Sequence, residues 1–250
     1  MYAFFLDIDG TVYDGKTVSE NVLSAIEMAR SEGHLVFINT LRAYVGMGSL
    51  KEKLSFDGFV NSLGYEVFVD GKHILREFIP HEKVMEIAKC AFDNGISLYF
   101  DGEKRVAVRS SADETLGTKN MEEFCAALGE SRMCKFIVTE DASGIIKDRF
   151  SNDFVFFGRE AFLKGSTKLR GIEIVEKYFG IPHENTVAIG DSDSDIDMVK
   201  GAGIGIAMGN GTEKLKSNAK YVTRTVQCDG VAYAIDCVLS GELSRLENCL

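Results

Sequence analysis

The chain opens on an apolar run, Tyr2-Ala3-Phe4-Phe5-Leu6, that breaks at once into Asp7-Ile8-Asp9-Gly10-Thr11. A short, unbroken apolar run bounded by turn residues is the pattern of a strand buried on both faces. Gly10 lets the backbone turn sharply where that strand ends. Two carboxylates therefore leave one strand end a single residue apart. In an open α/β sheet, the crevice beyond the carboxyl ends of the strands is where ligands bind. Paired acids there suit a hard cation such as Mg2+. One of them can also attack an electrophile while its neighbour moves protons. Ordinary turn chemistry is the competing reading, with Asp9-Gly10 as the bend and Thr11 as a cap. What recurs downstream decides between the two.

Strand and helix patterns alternate through both ends of the chain. Ser19 opens a helical periodicity carried by Val22, Ile26 and Ala29, which ends near Gly33, and an apolar strand follows at 35–38. That order predicts a parallel βαβ unit. Ile172, Val175 and Phe179 share a helical face that stops at Gly180; then come a strand at 186–189, a short helix at 195–200, a strand at 203–208 and an apolar closing helix at 231–239. The middle differs. Residues 81–160 carry a helix with Val84, Ile87, Ala88 and Ala91 in register, strands at 96–100 and 105–108, a helix with Met121, Phe124 and Leu128, and strands at 136–139 and 154–157. The expected fold is a doubly wound, parallel-sheet α/β core (Rossmann-like) from residues 1–80 and 161–250, with an α+β domain inserted at 81–160. Pro80, one of two prolines, marks where the insert begins.

Three further groups fall at likewise chosen places. Thr40, in Asn39-Thr40-Leu41-Arg42, follows the second strand, where a hydroxyl and fresh backbone N–H groups can grip phosphate oxygens. Lys168 begins a helix, the unfavourable end of the macrodipole for a cation, which suits a purpose such as neutralising a phosphoryl group. Asp191, Asp193, Asp195 and Asp197 crowd the end of the 186–189 strand. Their mutual repulsion needs a cation or a lysine to offset it. The spacing is not that of an EF-hand loop, and helix capping cannot employ all four.

Composition bounds the partners. The formal net charge is −10, which argues against a broad nucleic-acid surface but leaves room for a small anionic substrate. No stretch is long and apolar enough to span a bilayer, and the N-terminus lacks the pattern of a signal peptide. The six cysteines, Cys90, Cys125, Cys134, Cys228, Cys237 and Cys249, form no CxxC pair and read mostly as buried free thiols. A cytoplasmic location is the expectation. Oligomeric state is not written in the pattern.

In order along the chain, DIDGT, Thr40, Lys168, then GDSDSD with Met198 and GIGIAMGNG resemble the motifs of the haloacid dehalogenase superfamily of phosphatases. The match is closest to its Cof-like branch, whose α/β cap is inserted between the second and third motifs, and it extends to Asp229-Gly230-Val231-Ala232. The resemblance implies a Mg2+-dependent phosphatase acting on a small phosphorylated metabolite, sugar phosphates foremost. It makes Asp7 the nucleophile that becomes an aspartyl-phosphate and Asp9 the general acid/base. It gives Thr40, the Leu41 backbone and Lys168 the phosphate, with Asn210 close by. It assigns the Mg2+ to Asp7, the Asp9 carbonyl and Asp191, with Asp195 in support, and substrate choice to the cap at 81–160. Three departures bear on rate and substrate choice: Leu41 where the family has Gly, Ser194 where it has Asn, and Asn61-Ser62-Leu63-Gly64 in place of Asn-Gly. A phosphomutase of the phosphomannomutase type is the alternative within this architecture. A non-catalytic phosphate sensor is a second, although mere binding needs no nucleophile.

Overall fold

The computed structural model describes residues 1–48, 56–109, 117–141 and 143–248. They form two compact units. The first comprises Met1–Leu41, Ser49–Leu75 and Thr167–Leu250; the second comprises Arg42–Gly48 and Arg76–Ser166. The inserted unit thus takes in more chain than 81–160, including a short segment directly after Leu41.

The first unit is built on β1 (Ala3–Leu6), α1 (Glu20–Ser31), β2 (Leu35–Asn39), β3 (Gly58–Asn61), β4 (Glu66–Val69) and β5 (Lys72–Arg76). The second supplies α2 (His81–Asp93), β6 (Ser97–Gly102), β7 (Arg105–Val108), β8 (Gly117–Thr118), α3 (Met121–Leu128), β9 (Met133–Glu140), α4 (Ile145–Phe150), β10 (Phe154–Phe157) and β11 (Glu160–Leu163). The chain then returns to the first unit with α5 (Lys168–Phe179), β12 (Thr186–Gly190), α6 (Ile196–Gly201), β13 (Ile204–Ala207), α7 (Glu213–Lys216), β14 (Tyr221–Val222), α8 (Gly230–Leu239) and β15 (Glu247–Asn248).

The first sheet runs β15-β14-β13-β12-β1-β2-β3-β4-β5. Its centre, from β14 to β3, is parallel. From β1 the chain moves outward through β2 and β3; from β12 it moves the other way through β13 and β14. The strand order therefore reverses between β1 and β12, and the crevice at their carboxyl ends is a topological switch point. Every side chain of β1 is buried, as a sheet covered on both faces requires. Phe5 stacks on Phe37 at 5.2 Å within a cluster that includes Ile172, Val175 and Met198. The helices begin where local chemistry permits. The Ser19 hydroxyl accepts the Val22 N–H at 3.2 Å, and the Thr167 hydroxyl accepts the Arg170 N–H at 3.1 Å. Each satisfies a donor that the first helical turn leaves unpaired.

The inserted unit carries a second sheet, β10-β11-β9-β6-β7-β8, mostly antiparallel. One face packs on α2, α3 and α4 through Phe100, Phe124, Phe136 and Phe150. Other positions carry ion pairs. Arg105 grips Asp101 with two hydrogen bonds of 2.7 and 2.9 Å, and Lys135 pairs with Glu160. The cysteine expectation is corrected in part. Cys90, Cys134 and Cys237 are buried, but Cys125 and Cys228 are exposed. Cys125 lies one residue round α3 from its buried Phe124, and Cys228 lies in the turn before α8. Cys249 falls outside the described residues.

Candidate active site

Asp7 continues β1 by one residue. Its N–H donates to the Ile189 carbonyl at 3.0 Å, and its side chain is buried. The chain then folds into a tight loop, with Thr11 and Tyr13 N–H groups on the Ile8 carbonyl at 3.2 and 2.8 Å. Gly10 has φ +87°, a conformation costly for any other residue, and a Cβ there would stand 2.3 Å from Oδ2 of Asp191. The glycine thus brings the β1 loop against the β12 loop. Asp9 is exposed on that loop.

Lys168 is the first residue of α5 and is fully buried. Its Nζ lies 2.6 Å from Asp7 Oδ1 and 2.5 Å from Asp195 Oδ1. Burial alone would lower the lysine pKa, but Asp195 and Asp7 more than reverse this, and the ammonium is held above its usual value. Asp7 is pushed up to about 8, first by burial and then, against the pull of Lys168, by Asp195 and Asp191. Asp191 rises to about 6, through burial and then the Asp195 charge. Three carboxylates facing one ammonium leave a surplus of negative charge.

Asp195 has both oxygens engaged. Oδ1 meets Lys168, and Oδ2 accepts the N–H groups of Asp191 and Ser192 at 3.0 and 2.9 Å. It orients the loop rather than facing a ligand. Asp191 accepts the Thr11 hydroxyl at 3.2 Å. Ligand atoms of Asp7, Asp191 and Asp195 lie within 4.8 Å of one another. With Asp195 committed to Lys168 and the loop, Asp7 and Asp191 are the carboxylates left to bind, and anionic oxygen donors of this kind fit a hard divalent cation.

Of the four acids after β12, Asp191 and Asp195 join this cluster. Asp193 is exposed and bound to Thr212 and Lys214, and Asp197 is exposed on α6. Thr40 is buried at the end of β2, its N–H on the Val60 carbonyl at 2.8 Å, with Leu41 following it. The amide of Asn210, read above as close to phosphate, spans two backbones: Nδ2 donates to the Gly10 carbonyl and Oδ1 accepts the Val226 N–H, both at 2.8 Å. Thr11, which the sequence pattern offers only as a cap, and Asn39 and Ser192, to which it gives no role, also take part. Thr11 holds Asp191, Asn39 donates to the Lys168 carbonyl at 2.9 Å, and Ser192 binds Asp195 at 3.1 Å.

Comparison with known proteins gives the family. The family described as haloacid dehalogenase-like hydrolase matches residues 4–235. The 5-amino-6-(5-phospho-D-ribitylamino)uracil phosphatase YitU of Bacillus subtilis is 27% identical, the match covering 92% of this chain and 95% of that protein. A solved hypothetical protein from Geobacillus kaustophilus superposes with a TM-score of 0.84 at 25% identity, covering 95% of this chain and 98% of the other. A solved sugar phosphatase of haloacid dehalogenase subclass IIB gives 0.78 at 25% identity, covering 95% and 99%. Among the described residues no helix is long and apolar enough to cross a membrane. A match over nearly the full length, with the acids and lysine gathered at the switch point, means that the chain belongs to the haloacid dehalogenase-like hydrolases, as a phosphatase of that family.

Proposed function

We propose that the protein is a Mg2+-dependent phosphatase that hydrolyses small phosphomonoesters, sugar and polyol phosphates foremost, through an aspartyl-phosphate on Asp7. The observation that carries this is the buried Lys168 ammonium, 2.6 Å from Asp7 at the switch point. Asp7 attacks phosphorus; its P–O bond forms as the ester P–O bond breaks. Asp9 gives its proton to the departing oxygen. The same carboxylate then takes a proton from water, which attacks phosphorus and frees phosphate and Asp7. Proton transfer by a positioned side chain contributes about 100- to 10,000-fold. Lys168, the Thr40 hydroxyl and the Leu41 N–H hold the phosphoryl oxygens. Attack by a carboxylate on a phosphate dianion brings like charges together, so electrostatic positioning is the main catalytic contribution. Mg2+, held by Asp7, Asp191 and the Asp9 carbonyl, would offset that repulsion. Asp195 fixes Lys168 and the Asp191 loop, and Asn210 fixes the Gly10 turn.

Substrate choice is assigned to residues 81–160, which lie within the inserted unit. The sugar class is supported by what similar proteins act on: a ribityl phosphate for YitU, sugar phosphates for the subclass IIB structure. The test is a screen of phosphorylated metabolites with Mg2+, following released phosphate, beside Asp7→Asn and EDTA controls. Turnover that survives either control would overturn the mechanism.

A further inference from the structure

We propose that Glu66 is a positioning residue for the phosphate-holding pair Thr40 and Lys168, acting through the loop Ser62-Leu63-Gly64; the inference rests on the function proposed above. Three successive residues of that loop have positive φ, 52° at Ser62, 57° at Leu63 and 88° at Gly64. Only glycine adopts this region freely, and a branched, buried leucine there is strained. Ser62 and Leu63 are both buried. Such backbone persists only where its surroundings over-determine it, and it concentrates at functional sites.

The loop joins β3 to β4, and Asn61 pairs with Glu66 across that hairpin. Glu66 is fully buried, and its carboxylate accepts the Ser62 hydroxyl at 3.0 Å. A buried carboxylate is retained only where it is well bonded. What the clamped loop touches gives the reason to keep it. The Leu63 N–H donates to the Thr40 carbonyl at 3.3 Å. Gly64 lies so close to α5 that a Cβ would stand 2.3 Å from the Thr167 carbonyl, the residue before Lys168. Two neighbouring loop residues thus abut the backbone of Thr40 and that of Thr167, the residue that precedes Lys168. Were the loop to relax to an ordinary extended turn, both contacts would be withdrawn. The Asp7 main chain and the Asp191 carboxylate have anchors of their own, the Ile189 carbonyl and the Thr11 hydroxyl. The clamp thus reaches the metal acids only indirectly, through the Lys168 ammonium beside Asp7, and bears more on phosphate than on the metal.

The experiment measures binding of inorganic phosphate with Mg2+ present, and of Mg2+ alone, by calorimetry on the wild type, Glu66→Ala, Ser62→Ala and Glu66→Gln. Both alanine variants are expected to bind phosphate about tenfold more weakly, the value of one well-placed hydrogen bond. Mg2+ affinity changes less than phosphate affinity, and Glu66→Gln, whose amide oxygen accepts the same hydroxyl, retains phosphate affinity. Undiminished phosphate affinity in the alanine variants would overturn the proposal, as would a parallel loss of Mg2+ or a glutamine variant as weak as alanine. If Glu66→Ala does not fold, Ser62→Ala carries the same comparison. A wild type that binds no phosphate removes the proposed function, and this inference with it; a wild type that binds, with unaffected variants, removes this inference alone.

Discussion

Gly10 shows how much the site asks of one position. Its φ of +87° and the 2.3 Å that a Cβ would leave to Asp191 make alanine wrong twice over. Gly10→Ala is expected to cost about 1–3 kcal/mol in backbone strain and to raise the Mg2+ concentration for half-activation by about tenfold or more, as Asp191 is pushed aside. Activation at the wild-type concentration would remove Asp191 from the metal site. Asp9→Asn should instead keep metal and substrate affinity while turnover falls about 100- to 10,000-fold; an affinity change with turnover intact would leave Asp9 a loop-shaping role. The residues of this constellation were legible because each sits at a strand end or helix start in chain order. Thr11 and Asn39 were not. Their partners lie 180 and 129 residues away, and no local pattern records such a pairing. The family resemblance sets Asn210 near the phosphate, but its amide bonds backbone on both sides, which only the folded loops reveal.

Helix α5 carries a fully buried cation in its first turn, against the helix dipole, and two carboxylates hold it there. Removing one member of a buried ion cluster costs about 3–5 kcal/mol, because the others are left uncompensated. Lys168→Ala should show that loss in chemical denaturation and lose turnover, and Lys168→Arg should not restore it, since a planar fork replaces a point charge in a closed site. Mg2+ bears on the same elements from the other side. At about 100 times its dissociation constant, a ligand of the native state stabilises by about 2.7 kcal/mol. That is a rise of about 5–10 °C in Tm for a chain of this size. Asp191→Asn should erase the rise; an equal rise in that variant would place the ion elsewhere. Long periodic helices and the central strands were readable from hydrophobic spacing. The β3–β4 turn was not, because it uses Ser62 and Leu63 at positive φ where a glycine or asparagine would signal it, whereas Asp70-Gly71 between β4 and β5 is a plain hairpin signal. Two-residue strands such as β8 and β14 are too short to show a period.

Two buried clusters among the described residues share no member, one running through α2, α3 and the second sheet, the other through the first sheet and α5. Each unit has its own core, so replacing residues 77–165 by a short linker should leave a folded first unit. That protein should still hydrolyse p-nitrophenyl phosphate but lose discrimination among natural phosphates; unchanged selectivity would put specificity in the loops of the first unit. The segment Arg42–Gly48 was invisible as part of the insert, being too short to carry a pattern of its own. The insert also bears on phosphatase against mutase. A mutase holds a bisphosphorylated sugar while it reorients, which calls for a second set of cations free to meet phosphate. In the inserted unit Lys83 pairs with Glu86 and Asp153, Lys89 with Asp93, Arg105 with Asp101, Arg132 with Glu103, Lys135 with Glu160 and Arg149 with Glu86. These six cations, already matched to acids of their own unit, are poorer recruits for a second phosphate than unpaired ones, since each would surrender a bonded partner. Phosphate should therefore appear as fast as substrate disappears, with no need for a sugar bisphosphate activator. An isomerised sugar phosphate formed without stoichiometric phosphate would overturn the phosphatase reading in favour of the mutase.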